Sequence, residues 1–160
     1  MSIARFERVS DAQYAADTAA CADVLPISQV PLPCRATAGS AGYDYVCTCA
    51  VTLEPGQSAL IPTGIRAWMA PGWVLLNFPR SSMGFKHGLR LANTVGVIDS
   101  DYYHAKNEGH IMVKLTNGGD HTVSIAPGER FCQGVFVPFG LAEEADVTGE
   151  RTGGFGSTGG

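Results

Sequence analysis

The sequence has few charged residues and no cluster of basic ones. Only 16% of its 160 residues are Asp, Glu, Lys or Arg, against roughly 25% in an average soluble protein. Its formal net charge is −4, whereas a protein that binds the phosphates of polymeric nucleic acid needs a basic patch or stripe. The composition therefore argues against a polymeric nucleic-acid partner. A phosphate-bearing substrate would have to be small and held by a few placed groups.

A long apolar run is also lacking. No stretch approaches the roughly 20 apolar residues of a membrane span, and the opening segment, MSIARFERVS, is too charged for the apolar region of a signal peptide. The five cysteines are odd in number and have no CxxC spacing. Free thiols packed as small hydrophobic side chains are therefore expected, rather than metal ligands or disulfides. These absences predict a cytoplasmic protein with no membrane partner.

Glycine and proline, in contrast, are abundant. With 20 glycines, 9 prolines and 45% apolar residues, the composition suits many short strands joined by tight turns. Three Pro-Gly pairs each precede a new apolar run, and no strand–helix–strand alternation is present. We therefore predict an all-β domain, a distorted β-barrel or jelly roll. The expected strands are Ala50–Leu53, Ser58–Ile61, Ile65–Met69, Trp73–Phe78, Thr94–Ile98, His110–Thr116, Thr122–Ile125 and Phe131–Pro138.

One short helix is predicted near the N-terminus. Ser10 is the expected N-cap, Gln13 completes a capping box, and the alanine-rich run continues to about Asp23. This strand and helix, at about residues 1–27, lie outside every segment suited to chemistry. We interpret them as an addition to a single domain of residues 1–140.

The C-terminal segment, residues 141–160, is acidic and then rich in glycine. Such a composition cannot bury enough apolar surface to fold alone, and it predicts a flexible arm. By composition the arm would be a disordered end. Phe155, a single aromatic residue among glycines, is instead typical of an anchor that closes on something.

Two polar residues stand out at the edges of apolar runs. Asp44 ends the segment SAGYD, where a turn with a capping aspartate is the usual explanation. Gln133 lies in the apolar run of ERFCQG, so it needs a hydrogen-bond partner, and a structural bond is the simpler hypothesis. The four histidines are scattered without the spacing of metal ligands, and we interpret them as surface or structural residues.

The segment PRSSMGFKHG predicts a loop that binds an anion. Arg80 offers a planar fork that matches phosphate oxygens, and Ser81 and Ser82 add hydroxyl donors. Backbone N–H groups freed in a loop beside an arginine would complete an anion nest. Arg-Ser pairs also occur in ordinary loops, so this segment alone does not establish a site.

The segment NTVGVIDSDYYHAKNEGHI delivers two carboxylates, Asp99 and Asp101, at the end of an apolar strand. A strand end can hold a general base rigidly, and a hairpin with solvated acids fits the pattern equally well. Coordination of Mg²⁺ by the two aspartates is a third option. The pattern alone does not decide among these three hypotheses.

Taken in chain order, these segments resemble the five motifs of the trimeric dUTPase family: AGYD, PRSSMG, NTVGVIDSDY, ERFCQG and RTGGFGSTG. The resemblance covers about residues 28–160. It implies a homotrimeric barrel or jelly roll of dUTPase type, with active sites at the subunit interfaces. It also implies hydrolysis of dUTP to dUMP and pyrophosphate, with Mg²⁺ held mainly by the triphosphate and water and with no metal-ligating residue of the protein. This reaction would keep uracil out of DNA and supply dUMP for thymidylate synthesis.

The resemblance further implies a role for each matching residue. Asp99 would activate the attacking water, with Asp44 and Arg80 as the other catalytic residues. Tyr102 would pack under the deoxyribose and exclude a 2′-hydroxyl, within a hairpin from Leu89 to Val113 that holds uracil. The substrate contacts implied in this way are Ser81, Ser82, Asn93, Gly96, Val97, Tyr102, Ile111, Gln133, Arg151, Phe155, Gly156 and Ser157.

Two departures from the family pattern concern spacing. Five extra residues separate Tyr102 from Gly109, which makes Tyr103 a competitor for the contact with the sugar. The last motif is one residue shorter between Arg151 and Phe155 than the usual pattern.

Two rival functions use the same scaffold. A dCTP deaminase would need a glutamate on the strand after the third motif, where this sequence has Lys114 and no acid. A nucleotide-sensing interaction protein would be indicated by loss of Asp99, Arg80 or Phe155, and all three are present. We therefore expect a dUTP diphosphatase.

Overall fold

Residues 2–143 are the part of the chain that the computed structural model describes, and they form mainly short β-strands. Two α-helices accompany them, α1 (Asp11–Thr18) and α2 (Ser81–His87), with short 3₁₀ helices at Ile27–Gln29 and Asp101–His104. Within these residues no helix is long and apolar enough to cross a membrane. The strands are β1 (Ala4–Arg8), β2 (Cys34–Arg35), β3 (Tyr43–Val46), β4 (Val51–Leu53), β5 (Ser58–Pro62), β6 (Ile65–Met69), β7 (Trp73–Pro79), β8 (Leu89–Leu91), β9 (Gly96–Ile98), β10 (Met112–Asn117), β11 (Val123–Ile125) and β12 (Arg130–Pro138).

The strands pair antiparallel in four sheets. The largest has the order β2-β3-β12-β7-β9, and a three-stranded sheet has the order β5-β10-β8. The pairs β1-β6 and β11-β4 complete the set. The predicted all-β class and jelly-roll type of fold are confirmed, although the four sheets of the described residues do not close into one barrel.

Alternation of buried and exposed side chains along the strands builds the core. In β6, Ile65, Ala67 and Met69 are buried, as Val113 and Leu115 are in β10. Each fully buried aliphatic side chain stabilises the fold by about 1.5–3 kcal/mol. The described cysteines are all free, and three of them belong to this core, where burial raises the pKa of the Cys132 thiol to about 12. They therefore act as the small hydrophobic residues that the sequence predicts.

Helix α1 is shorter than predicted and is capped differently. Ser10 is the N-cap, and its Oγ accepts from the Gln13 N–H at 3.1 Å. The expected capping box is wrong, because the Ser10 N–H donates to Glu108 Oε2 at 2.8 Å instead of to Gln13. A carboxylate is a stronger acceptor than a side-chain amide. The helix ends at Thr18 rather than near Asp23, because the following chain turns away to a bridge between Ala22 and Ala50.

The predicted loop after Pro79 is instead helix α2. Its buried residue, Met83, is only 4% exposed and fixes the helix on the core. The helix ends at Gly88, whose φ of +64° is left-handed, and a Cβ there would lie 2.8 Å from the Gly119 nitrogen. Local sequence hides this element because seven residues with an internal glycine give a weak helical pattern.

Strand β9 begins at Gly96, later than the predicted start at Thr94. Thr94 has a φ of +68°, a left-handed conformation that cannot continue a strand. Strands β8 and β9 do not form a hairpin with each other, because β8 pairs with β10 whereas β9 pairs with β7. The other predicted strands agree with the structure to within two residues at either end.

Candidate functional site

A cleft of 510 Å³ opens at one end of the five-stranded sheet. Its lining includes Asp44, Arg80, Ser81, Ser82 and Gln133, which come from three segments far apart in the sequence. They meet because β12 pairs with β3 on one side and with β7 on the other. Gln133 therefore lies opposite Asp44 and opposite Phe78, and Arg80 follows the end of β7. Sheet register therefore fixes Asp44 and Gln133 relative to each other and places Arg80 next to them, at the end of β7.

Two arginines hold the Asp44 carboxylate. Arg80 Nε donates to Oδ1 at 3.1 Å, and Arg130 Nη1 donates to Oδ2 at 3.2 Å. The Asp44 side chain is 8% exposed, whereas those of Arg80 and Arg130 are 31% and 51% exposed. A buried carboxylate requires such partners. Two cations and one anion leave a charge of +1 beside the cleft, which suits an anionic ligand.

Asp44 does not cap a turn, as its sequence context alone suggests. It lies on β3, in the middle of the ion-pair cluster. Arg130, the third member of this cluster, is a residue that sequence reasoning missed. Its position two residues before the buried Cys132, in a segment already selected for Gln133, is the signal that could have identified it.

Gly42 allows the Gln133 side chain to lie against the backbone. A Cβ at Gly42 would lie 2.3 Å from Gln133 Oε1, closer than two heavy atoms can approach without a shift. Gln133 Nε2 donates to the Pro79 carbonyl at 3.3 Å, so the polar residue has the partner that its apolar surroundings require. The glycine of the AGYD segment therefore shapes the cleft, a second role that sequence reasoning missed.

The predicted catalytic base lies apart from this cleft in the single chain. Asp99 follows Ile98, which pairs with Leu75 near the start of β7. Arg80 follows the other end of the same strand, and the five steps from Leu75 to Arg80 span about 17 Å at roughly 3.3 Å per residue. One chain therefore gathers Arg80, Ser81 and Gln133 at the cleft, whereas Asp99 follows a strand position about 17 Å from Arg80 along β7.

The residues that are predicted to contact the uracil lie around the turn between β8 and β9. Asn93 accepts a hydrogen bond from the Val95 N–H at 2.7 Å through its carbonyl. A Cβ at Gly96 would lie 3.2 Å from Asn77 Cβ, so the backbone there is tightly packed. Val97 is 56% exposed on β9, an edge strand of the large sheet.

The two tyrosines after Asp99 have different environments. Tyr102 is 5% exposed, and its hydroxyl donates to the His110 carbonyl at 2.8 Å. The Tyr103 hydroxyl donates to Glu7 at 2.6 Å, which directs it toward the N-terminal strand. Tyr102 is therefore bonded within its own loop, whereas Tyr103 is bonded to β1. Ile111 is fully buried, so in the single chain it is a core residue with no exposed surface.

His110 is a structural residue, as expected for the histidines. Its side chain is fully buried, and burial lowers its pKa, although Asp17 opposes the shift. Its Nδ1 lies 2.5 Å from Asp17 Oδ2, and its Nε2 accepts from the Gly64 N–H at 2.7 Å. Both contacts fit a neutral ring protonated on Nδ1.

Among residues 2–143, no three His, Cys, Asp or Glu side chains are grouped to hold a metal ion. In the cleft, the Asp44 carboxylate is already paired with two arginines, which disfavours a further cation on it. The predicted contacts Arg151, Phe155, Gly156 and Ser157 lie outside the described residues.

Comparison with known proteins extends these observations. A family model described as dUTPase matches residues 28–159. The deoxyuridine 5′-triphosphate nucleotidohydrolase of Lactococcus lactis subsp. lactis (strain IL1403) is 50% identical over 133 residues, covering 81% of this chain and 89% of the relative. The protein of the same name from Azotobacter vinelandii (strain DJ) is 48% identical over 140 residues, covering 82% of this chain and 89% of the relative.

Solved structures give the same result. The crystal structure of dUTPase from Streptococcus mutans superposes with a TM-score of 0.68 at 40% identity, covering 87% of this chain and 98% of that chain. The Staphylococcus bacteriophage 80alpha dUTPase, solved with dUpNHpp, superposes with a TM-score of 0.70 at 22% identity and covers 99% of both chains. The second likeness concerns the fold alone. The predicted dUTP diphosphatase class is thereby confirmed, and the chain belongs to the dUTPase family.

Proposed function

We propose that this chain hydrolyses dUTP to dUMP and pyrophosphate. The observation that carries the proposal is the cleft, where Asp44, Arg80 and Gln133 converge from three separate segments beside a local charge of +1. Such a site is suited to a small polyphosphate rather than to a polymer, because the whole chain has a net charge of −4. The choice of uracil and deoxyribose as the base and sugar of the substrate follows from the names of the relatives, deoxyuridine 5′-triphosphate nucleotidohydrolases.

Asp99 is the proposed general base. It accepts a proton from water as the water oxygen forms a bond to the α-phosphorus, and the bond from that phosphorus to the bridging oxygen breaks. Pyrophosphate leaves with the electron pair of the broken bond. Arg80, Ser81, Ser82 and Gln133 hold the phosphate oxygens, and Arg80 stabilises the charge that develops on them. When Mg²⁺ is bound through the triphosphate, it supplies further positive charge.

We propose that each active site is shared between copies of the chain in a homotrimer. Within one chain, Asp99 follows the residue opposite Leu75, and Leu75 is about 17 Å from Arg80 along β7. The exposed Val97 lies beside it on an edge strand, and exposed apolar residues on sheet edges are suited to association. In the proposed trimer, the segment of a second copy that contains β9 would bring its Asp99 to the cleft of the first.

The base and sugar would be bound by the β8–β9 segment. Asn93, Gly96 and Val97 present backbone and amide groups for uracil, and Tyr102 packs under the deoxyribose. Ile111 supports this segment from within the core. In the proposed complex the arm of residues 141–160 closes over the substrate, with Arg151 on the phosphates and Phe155, Gly156 and Ser157 at the base.

In the cell, the reaction would keep uracil out of DNA and supply dUMP for thymidylate synthesis. The absence of paired cysteines among the described residues fits a reducing compartment such as the cytoplasm. The location remains a prediction from the sequence.

Pyrophosphate release tests the proposed function directly. The purified chain is assayed with dUTP, dCTP, dTTP and UTP, with and without Mg²⁺, and ammonia release from dCTP is measured in parallel. We expect selective hydrolysis of dUTP, faster with Mg²⁺, because the site excludes a 2′-hydroxyl and recognises uracil. Equal rates on the four nucleotides would contradict the site assignment, and ammonia from dCTP would indicate a deaminase instead.

A further inference from the structure

Two parts of this chain that depart from the family pattern contact each other. The first is the N-terminal addition, because the family model begins at residue 28. The second is the lengthened loop that follows Tyr102 and ends before Gly109. Two side-chain contacts join them, between Glu7 and Tyr103 and between Ser10 and Glu108, and a third joins Asp17 to His110, just after the loop. We call this set of three contacts the clasp.

The first contact fixes the start of the loop to β1. The Tyr103 hydroxyl donates to Glu7 Oε2 at 2.6 Å. Arg66 on β6 lies with its guanidinium carbon 3.6 Å from the centre of the Tyr103 ring, and its Nε is 3.6 Å from the same Glu7 oxygen. Hydrogen bonding by Tyr103 lowers the pKa of Glu7, so the carboxylate is charged at neutral pH. A cation, a ring and a carboxylate therefore hold one another.

The second contact fixes the far part of the loop to helix α1. Glu108 accepts from the Ser10 N–H at 2.8 Å and from Ser10 Oγ at 2.6 Å, so it caps the helix from a distant segment. Glu108 has a φ of +59°, a left-handed conformation that few non-glycine residues adopt. The two bonds to Ser10 favour this otherwise strained conformation.

The third contact connects the helix to Tyr102. Asp17 on α1 accepts from His110 Nδ1 at 2.5 Å, and the other ring nitrogen accepts from the Gly64 N–H. The carbonyl of the same histidine accepts the Tyr102 hydroxyl at 2.8 Å. Asn107 Nδ2 also donates to that hydroxyl, at 2.8 Å. The buried His110 therefore contacts the N-terminal helix through its ring and Tyr102 through its carbonyl.

We propose that Glu7, Ser10 and Asp17 are positioning residues that set the place of Tyr102 and thereby the preference for deoxyribose over ribose. This inference rests on the proposed function, in which the Tyr102 ring packs under the sugar. A ring that excludes a hydroxyl acts by close contact. A displacement of about 1 Å can therefore change the reaction rate at such a site by a large factor. Tyr102 lies in a short 3₁₀ helix, Asp101–His104, and the clasp contacts of Tyr103 and His110 join this segment to the N-terminal addition.

The decisive variant is Asp17→Leu, which removes the acceptor for His110 Nδ1. We measure kcat and KM for dUTP and for UTP, together with Tm and particle size. The ratio of kcat/KM for dUTP over UTP should fall about 10-fold, through a higher KM for dUTP and a lower KM for UTP. Asp17→Asn should restore the ratio, because its amide oxygen still accepts the proton on Nδ1. Asp11→Asn removes a carboxylate of the same helix that takes no part in the three clasp contacts, and it should leave the ratio unchanged.

Two milder variants test the same inference in case Asp17→Leu does not fold. Tyr103→Phe removes one hydroxyl and keeps the ring under Arg66, and Glu108→Gln keeps one acceptor for Ser10. Each should lower the same ratio about 3-fold with little change in kcat for dUTP.

A lowered Tm with an unchanged ratio in the folded variants would show that the clasp only stabilises the fold, and the inference would be wrong. If the unmodified chain hydrolysed none of the nucleotides, the proposed function would be overturned, and this inference with it. Hydrolysis of dUTP with a ratio insensitive to the clasp would overturn this inference alone.

Discussion

The cleft and the clasp place side chains by different means. In the cleft, Asp44 and Gln133 lie directly opposite each other on paired strands, so backbone hydrogen bonds fix their separation. In the clasp, Tyr102 lies in a loop whose position depends on contacts of Tyr103, Glu108 and His110 with the N-terminal addition. The proposed phosphate chemistry therefore rests on the part of the chain that the family shares. The proposed sugar recognition depends in addition on a part that lies outside the family match.

This difference makes distinct predictions for the two regions. A change in the cleft should alter hydrolysis of any triphosphate that binds, and it should leave the preference for deoxyribose unchanged. A change in the clasp should alter that preference and leave the chemical step nearly intact. The predictions below begin with the largest expected effect.

Asp99→Asn should lower kcat for dUTP about 1,000-fold, because a general base contributes roughly 10² to 10⁴ in rate. The affinity for dUTP, measured by calorimetric titration, should change little, since the amide keeps the size of the side chain. Asp101→Asn is the matched control and should retain most of the turnover. Turnover retained in Asp99→Asn would remove this residue from the mechanism, and equal loss of Mg²⁺ dependence in both variants would indicate a metal-binding pair.

Mixed assemblies test whether the two regions come from different copies. Asp99→Asn and Arg80→Ala should each be inactive alone, but refolding an equal mixture should restore activity in about a quarter of the sites of randomly mixed trimers. In those sites an intact Asp99 from one copy meets an intact Arg80 from another. A mixture that remains as inactive as its components would place the whole site within one chain.

Gly42→Ala should disturb the cleft without affecting the sugar. The new Cβ would lie 2.3 Å from Gln133 Oε1, so the amide must leave its bond with Pro79. We expect kcat/KM for dUTP to fall about 10-fold, as the loss of a placed hydrogen bond costs about 1–3 kcal/mol. Gly39→Ala is the control, because a Cβ there meets no atom within 4 Å. A changed ratio of dUTP to UTP in Gly42→Ala would contradict the separation of the two regions.

The clasp should also make stability depend on pH through His110. Burial lowers the pKa of this histidine in the folded chain below its ordinary value of about 6.5. The unfolded chain therefore binds more protons as the pH falls below about 6.5, and the free energy of unfolding decreases by up to about 1.4 kcal/mol per pH unit. Protonation would also direct an Nε2–H toward the Gly64 N–H.

Urea unfolding at pH 7.5, 6.5 and 5.5 measures this effect. The carboxylates of Glu7 and Glu108 have lowered pKa values, so the stability that they contribute is lost only below about pH 4.5, outside this range. His110→Gln should flatten the dependence, whereas His121→Gln, at an exposed histidine, should not. The same slope in His110→Gln and in the unmodified chain would show that another group is responsible.

Much of the fold and part of the site are predictable from local sequence. The Pro-Gly pairs and apolar runs give the all-β class and most strand positions, because turn chemistry and alternation act over a few residues. Helix α2 is not predictable in this way, since Met83 stabilises it by packing on the core. The capping of α1 by Glu108 cannot be foreseen from local sequence either, because the acceptor lies 98 positions away in the chain.

By itself, the sequence determined the family, the all-β class and the residues suited to chemistry, since these depend on residue type and short spacing. Only the tertiary structure decided which residues work together. The register of β3, β12 and β7 brings Arg130 to Asp44, and the packing of α1 brings Asp17 to His110. Such contacts join segments separated by many residues, and their formation depends on strand pairing and burial that no local pattern encodes.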